Sequence, residues 1–193
     1  MKTLVLILST AGLIILGGGS LAFSASAIEV GGVSFAERFQ VEHSELRLRG
    51  AAVLRWALLV DVYAGAFYLP PGVAGDNWSA DVPKRLELSY FRSFKAEDLS
   101  SASDKLLRDA LTAEAYQALA QRLQQFNQLY RDSRTGDRYS LSYHPATGTE
   151  LRFNDELLGA APGADFAVAY FGLWLGPKPI SESFRDQLLR GGS

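Results

Sequence analysis

Residues 49–70 read RGAAVLRWALLVDVYAGAFYLP and form an almost continuous apolar run. The run is rich in valine, leucine and aromatic residues, which favours a β-strand. One cation, Arg55, interrupts the apolar pattern. A charge in such a strand lies on a solvent-facing side, forms a structural ion pair, or faces a site where it contacts an anion. The position of Arg55 is therefore the first question that this sequence raises about function.

Shorter alternating segments lie on both sides of this run. In residues 85–91 apolar side chains alternate with polar ones, and in residues 45–49 Leu46 and Leu48 alternate with charged residues. Residues 28–35 are interpreted in the same way. A period of two predicts strands that bury one face and leave the other in contact with water.

Beyond residue 95 the apolar spacing becomes helical, and it returns to a period of two after Gly136. Strands followed by helices, a hairpin and more helices predict an α+β fold, in which a large antiparallel sheet carries a layer of helices. The predicted later elements are helices at residues 96–110 and 112–130 with Thr112 as N-cap, a hairpin at 139–153, a helix at 164–175 ended by Gly176 and Pro177, and a helix at 181–189.

The first 27 residues differ from the rest of the chain. Lys2 is followed by an apolar stretch, a glycine-rich segment and the sequence Ala25-Ser26-Ala27. This order is typical of a secretory signal peptide. We therefore predict a leader at residues 1–27 that is cleaved near Ala27, and one secreted or periplasmic domain at residues 28–193. The alternative is a leader that is kept as an anchor.

Composition excludes several functional classes. The chain has no cysteine, which rules out disulfides, thiol nucleophiles and thiolate metal sites. Without the leader it carries 18 basic and 21 acidic residues, so we expect no nucleic-acid partner. No later apolar stretch approaches the ~20 residues that span a bilayer, so no transmembrane segment is expected in the mature chain. The two histidines, His43 and His144, are too few for a convincing metal site, and we predict neither a metal nor a cofactor.

Six segments resemble the bacterial, secreted branch of the chalcone isomerase-like proteins when they are taken in order. The resemblance implies an open-faced β-sandwich, in which an apolar cleft separates a large antiparallel sheet from its helices. The segments are GAAVLR (50–55), VY (62–63), AFYLP (66–70), PKRLELSY (83–90), YSLSYHPATGTELRFN (139–154) and DFAVAYFGLWLGPKP (165–179).

The resemblance also implies a role for Arg55. In the plant enzymes of this family, an arginine at the matching position points into the cleft and stabilises the charge that develops as a chalcone cyclises. A guanidinium suits this task because it stays protonated and offers a planar set of donors. The two threonines of the plant site are matched here by Tyr63 and Leu173. Losing both threonines, whose hydroxyls orient substrate and water in the plant enzymes, argues against chalcone cyclisation.

Another branch of the family binds fatty acids without chemistry, and there a tyrosine at the position of Tyr63 accompanies the arginine. The resemblance thus implies a carboxylate held by Arg55 and Tyr63, with Leu173 beside the apolar tail. On one straight strand, residues 55 and 63 would be about 26 Å apart. The site therefore requires a turn near residues 56–59, although no Gly, Pro or Asn marks one there.

Three functions remain open from the sequence. The first is a secreted, non-catalytic binding protein for a fatty acid or similar apolar acid. The second is an isomerase or lyase of unknown substrate that uses Arg55 to stabilise an oxyanion. The third is an accessory protein of the cell envelope whose cleft is packed shut.

Overall fold

The computed structural model describes residues 26–56 and 59–190, and its centre is a seven-stranded antiparallel sheet. A separate two-stranded hairpin precedes the sheet, and four α-helices complete the fold. The strands are β1 (Ala27–Val30), β2 (Val33–Ala36), β3 (Arg38–Val41), β4 (Ser44–Trp56), β5 (Val60–Leu69), β6 (Lys84–Tyr90), β7 (Arg138–His144), β8 (Gly148–Phe153) and β9 (Glu156–Ala161). The helices are α1 (Ala96–Ala110), α2 (Ala113–Asn127), α3 (Ala164–Leu175) and α4 (Glu182–Arg190).

The main sheet is a meander, in which β3 to β9 lie side by side in chain order. Short turns join most of these neighbours, as antiparallel pairing allows, whereas α1 and α2 lie in the long connection between β6 and β7. Asn154 and Asp155, with φ values of 46° and 67°, form a two-residue loop between β8 and β9. The α+β fold with a layer of helices on an antiparallel sheet, as predicted, is confirmed.

The helices cover one face of the sheet. Helix α3 is apolar almost throughout, and eight of its twelve residues are buried. The Thr112 side chain accepts from the Ala115 amide at 3.2 Å, so the predicted N-cap of α2 is confirmed. The largest buried cluster lies between these helices and the inward side chains of β4 to β8. We call this the helix-covered face.

The opposite face of the sheet has a smaller apolar cluster. Phe35 from β2 packs here with Leu46, Ala64, Ala66 and Tyr68. Partly buried residues of β1 and β3 complete the cluster. The β1–β2 hairpin therefore covers only part of this second face.

The observed elements correct the sequence interpretation in several places. Residues 28–35 lie in the β1–β2 hairpin and not in one strand, and every residue of β6 is buried, although a water-facing side is predicted at 85–91. The sequence interpretation does not include strands β3 and β9. The turn that it requires between residues 55 and 63 is present, because Trp56 at the end of β4 pairs with Val60 at the start of β5. Apart from Ser26 and Ala27, the predicted leader at 1–27 lies outside the described residues. Among the described residues, no helix is long and apolar enough to cross a membrane.

Candidate functional site

The structure separates Arg55 from Tyr63. The two residues lie near each other on the β4–β5 hairpin, but Tyr63 pairs with Leu54, whereas Arg55 pairs with Asp61. Successive residues of a strand point to opposite faces of the sheet. Leu54 and Tyr63 belong to the core of the helix-covered face, so Arg55 points to the second face. A single carboxylate therefore cannot contact both side chains.

Arg55 is also exposed. Its Nε donates to Asp61 Oδ1 at 2.8 Å, and the two side chains keep 60% and 49% of their surface in contact with water. The prediction that Arg55 faces the cleft between sheet and helices is wrong. The cause is the hairpin register, because the strand that begins at Val60 places Asp61 opposite Arg55 and leaves both at the hairpin end.

Tyr63 and Leu173 do lie on the helix-covered face, where both are buried. The Tyr63 hydroxyl accepts a hydrogen bond from Trp174 Nε1 at 2.9 Å. Burial raises the pKa of Tyr63 well above its usual value, so the phenol stays neutral. These two predicted residues thus act as parts of a hydrogen-bonded, apolar core.

The interior between the sheet and α3 is tightly packed. The pocket found there has a volume of about 20 Å³. That volume holds about one water molecule, whereas small-molecule sites usually measure about 300–1,000 Å³. The residues around it are Leu86, Leu88, Tyr90, Tyr130, Tyr139, Ser140, Leu141, Leu151 and Trp174.

Aromatic packing fills the space where a cleft was predicted. The ring of Tyr90 packs edge-to-face against the ring of Tyr63, with centroids 5.4 Å apart, and against that of Tyr139, with centroids 6.0 Å apart. Tyr130 contacts Tyr139 in the same way at 5.3 Å, and its hydroxyl lies 2.9 Å from that of Tyr170. Such edge-to-face pairs add stability beyond their buried area. An acyl chain would have to displace several of these rings.

A larger open groove lies where β1, β3, β4 and α4 meet. It has a volume of about 630 Å³, and its lining combines four arginines with one glutamate and several apolar side chains. We call it the basic groove. Its lining residues are Ile28, Glu37, Arg38, Arg47, Leu48, Arg49, Gly50, Ala51, Gln187 and Arg190.

Strand pairing concentrates positive charge in the basic groove. Arg38 of β3 and Arg47 of β4 are direct cross-strand partners. Like charges in that position repel each other, and Glu45 offsets the repulsion only in part, at 3.9 Å from Arg38 and 3.0 Å from Arg47. The side chains of Arg38 and Arg47 are more than half exposed, at 67% and 52%. An incoming anion can therefore reach both guanidinium groups.

The end of the groove depends on a close approach between β4 and α4. A Cβ atom at Gly50 would lie only 2.2 Å from the main-chain oxygen of Gln187, so only glycine allows α4 to pack here. The strand pairing is also irregular between Leu48 and Gly50, which bends β4 at the groove. Sequence reasoning missed this site, although Arg47 and Arg49 beside Gly50 were a visible signal in an acidic chain.

Two other groups of polar residues are structural. His144 Nδ1 accepts from the Ala146 amide at 3.2 Å, which places this histidine in a turn. Arg85 and Glu87, only 2% and 8% exposed, form an ion pair of 3.1 Å on the second face. Within residues 26–56 and 59–190, no cluster of His, Asp or Glu side chains could hold a metal ion.

Comparison with known proteins agrees with this architecture. A fatty-acid binding protein from Arabidopsis thaliana has a similar crystal structure, with a TM-score of 0.69 and 16% sequence identity. The similarity covers 85% of this chain and 96% of the plant protein. No curated protein sequence matches the chain. A family model described as chalcone isomerase-like matches residues 27–190. The chain therefore belongs to the chalcone isomerase-like family.

Proposed function

We propose that this protein binds a fatty acid or a similar small apolar acid without chemistry, and that the basic groove holds the ligand. The observation that carries the proposal is the cross-strand pairing of Arg38 and Arg47 in a groove that Ile28, Leu48 and Ala51 also line. The fatty-acid binding relative of the same fold supports this class of ligand. The proposal replaces Arg55 and Tyr63 as the carboxylate contacts.

The groove suits both parts of such a ligand. Its volume of about 630 Å³ is within the range of small-molecule sites. Each methylene group that leaves water contributes roughly 0.8 kcal/mol, so the tail supplies much of the affinity. The carboxylate supplies selectivity, because two exposed guanidinium groups bind it by charge-assisted hydrogen bonds.

We also infer that the protein acts outside the cytoplasm after cleavage near Ala27. The inference rests on the basic, apolar and small-residue order of the first 27 residues. Mass spectrometry of the protein recovered from the periplasm or medium tests it. A chain that begins at Ile28 is expected, whereas a full-length chain held in the membrane fraction contradicts cleavage.

One alternative retains a supporting observation. The closed interior, with about 20 Å³ of space, favours an accessory protein of the cell envelope that carries no ligand. The isomerase alternative required Arg55 in the cleft, and the exposed Arg55–Asp61 pair gives it no support.

Calorimetry with dodecanoic acid and 1-dodecanol tests the proposed function. Arg38→Ala and Arg47→Ala should each weaken binding of the acid by roughly tenfold, which corresponds to about 1.4 kcal/mol, and should change binding of the alcohol little. Arg108→Ala is the matched control, since this exposed arginine pairs with Asp104 on α1.

Three results would contradict the proposal. Equal losses for acid and alcohol would mean that Arg38 and Arg47 only support the fold. A tenfold loss of acid binding with Arg55→Ala, and none with Arg47→Ala, would show that Arg55 contacts the carboxylate. No binding of either ligand by the wild-type protein would favour the accessory-protein function.

A further inference from the structure

Two large apolar side chains, at the end of β4 and just before β5, are exposed. Trp56 keeps 70% of its surface in contact with water and Leu59 keeps 90%. They are the two most exposed large hydrophobic residues of the described chain. Isolated exposed apolar residues are common, but here a tryptophan and a leucine are exposed three residues apart at one end of the β4–β5 hairpin, and we call this pair the patch.

Two arginines flank this patch. Arg55 precedes Trp56 and donates to the Asp61 carboxylate at 2.8 Å. Arg92 is exposed as well, and its Nε donates to the main-chain oxygen of Asp61 at 3.2 Å. Asp61 thus fixes both guanidinium groups beside the apolar residues. Two cations against one carboxylate leave the hairpin end with a positive charge.

We propose that this hairpin end docks on an anionic lipid bilayer, with Trp56 and Leu59 in the headgroup region and Arg55 and Arg92 against lipid phosphates. Tryptophan is enriched at the membrane–water interface because its ring is apolar and its N–H is polar. Arginines beside such residues add attraction to anionic lipids. The residue types and the local charge therefore match this one surface.

A protein partner fits the patch less well. A stable protein interface buries about 800 Å² on each side and involves some twenty residues. Two side chains at the end of a hairpin present far less area, whereas a lipid interface can accommodate a small apolar group. The patch also explains why a charge interrupts the apolar run of residues 49–70, since Arg55 ends up at the edge of an exposed apolar tip.

The docking surface and the basic groove are separate. Trp56 lies five residues beyond Ala51 on β4, which corresponds to about 17 Å along the strand. The membrane proposal therefore does not depend on the ligand proposed for the groove. Either can fail while the other holds.

Fluorescence of Trp56 tests the proposal on the full chain. The protein is mixed with phosphatidylcholine vesicles that contain either no phosphatidylglycerol or one quarter of it, and brominated lipids serve as quenchers. The signal of Trp56 is the difference between the wild type and Trp56→Phe. Trp174 is buried and Trp78 is partly buried, so they contribute a constant background. Because this difference reports only on Trp56, it distinguishes docking of the hairpin end from membrane attachment through the predicted leader.

We expect the Trp56 emission to shift to shorter wavelength and to be quenched on vesicles with phosphatidylglycerol. Leu59→Ser and Arg55→Gln should each reduce the quenched fraction at least threefold, and 0.5 M salt should reduce it as well. Leu157→Ser is the matched control, because Leu157 is 48% exposed but lies on β9. It should leave the quenching unchanged.

Three results would overturn the proposal. The first is Trp56 emission that does not respond to either vesicle type. The second is quenching that Leu59→Ser and Leu157→Ser reduce equally. The third is a wild-type dimer in sedimentation equilibrium that Trp56→Ser converts to monomer, since the patch would then join two copies of the chain.

Discussion

The two faces of the main sheet are packed differently. On the helix-covered face, rings such as Tyr90, Tyr139 and Trp174 surround a pocket of only about 20 Å³. On the second face, Arg85, Glu87 and Arg138 form a charged network. The packed interior lies where the family resemblance implied a ligand, whereas accessible cations line the basic groove at the β3 edge of the sheet.

The arginines of the sheet serve two different purposes. The Arg85 guanidinium is buried, lies 3.8 Å from the ring centroid of Phe39, and donates to Ser142 at 2.9 Å. Desolvation by burial lowers the pKa of Arg85, and Glu87 counteracts that effect. Arg38 and Arg47, in contrast, remain mostly exposed. Only the exposed pair is accessible to a ligand from solution.

Trp174→Ala should have the largest effect, because it removes the ring that seals the helix-covered face. Losing a buried aromatic side chain typically costs about 3–5 kcal/mol, and the Tyr63 hydroxyl also loses its 2.9 Å donor. Chemical denaturation measures the change in the free energy of unfolding. Trp56→Ala is the control and should change it by less than about 0.5 kcal/mol. Similar losses in both variants would show that the interior is not tightly packed.

Glu87→Gln should have the next largest effect. The substitution keeps the size of the side chain but leaves Arg85, which is 2% exposed, without its carboxylate partner. Hydrogen bonds to charged groups contribute about 1.5–3 kcal/mol, so we expect a loss of about 2–3 kcal/mol in chemical denaturation. Glu156→Gln breaks the exposed pair with Arg131 and is the control. A loss no greater than that of the control would mean that the buried network contributes little.

Lys84 should make stability depend on pH in the mildly alkaline range. Its Nζ donates to the main-chain oxygens of Trp78 and Ala80 at 2.7 and 2.6 Å, and burial lowers its pKa to about 8. In the unfolded chain the pKa is about 10.4. Between these values the unfolded chain binds more protons, so the free energy of unfolding rises with pH, and we expect a gain of about 1–2 kcal/mol from pH 8 to 9.5.

Lys84→Met is the comparison for that prediction. The variant cannot titrate at this position, so its free energy of unfolding should stay flat over the same pH range. The cost of burying the charged lysine is fully present below pH 8 and is relieved above it. A wild-type protein that loses stability between pH 8 and 9.5 would contradict the assignment to Lys84.

Arg55→Ala should have the smallest effect on stability. The Arg55–Asp61 pair is 2.8 Å long but more than half of the arginine is exposed, and such pairs contribute about 0–1 kcal/mol. A double-mutant cycle with Asp61→Ala measures the pair directly. A coupling above about 2 kcal/mol would show that the hairpin end is buried in solution.

Periodicity predicted most of the fold because the apolar side chains of most elements repeat on one face. The strand at 85–91 and β7 both show a period of two, but polar as well as apolar residues are buried there, so the predicted water-facing side is wrong for these strands. Strand β9 was missed because its sequence, ELLGAA, is weak in β-forming residues and forms through pairing with β8. Strand β3 was missed because four residues are too few to show a period.

The site was harder to predict, because it depends on register. Whether Arg55 faces the cleft or the solvent is decided by the hairpin pairing, in which Tyr63 meets Leu54 and Asp61 meets Arg55. A shift of one residue reverses the facing of every side chain, and an irregularity in β5 occurs at this point. The basic groove combines residues of β1, β3, β4 and α4, so the Arg38–Arg47 pairing is invisible without the structure.

Paramagnetic broadening by 5-doxyl stearic acid tests most directly whether the basic groove, and not the helix-covered face, holds an apolar acid. Backbone amide signals of the isotope-labelled protein are recorded with the spin-labelled acid before and after reduction of the label. We predict that the amides of Ile28, Leu48 and Ala51 broaden, and that those of Leu88 and Leu141 stay sharp. Broadening at Leu88 and Leu141, with sharp signals at Leu48 and Ala51, would contradict the account.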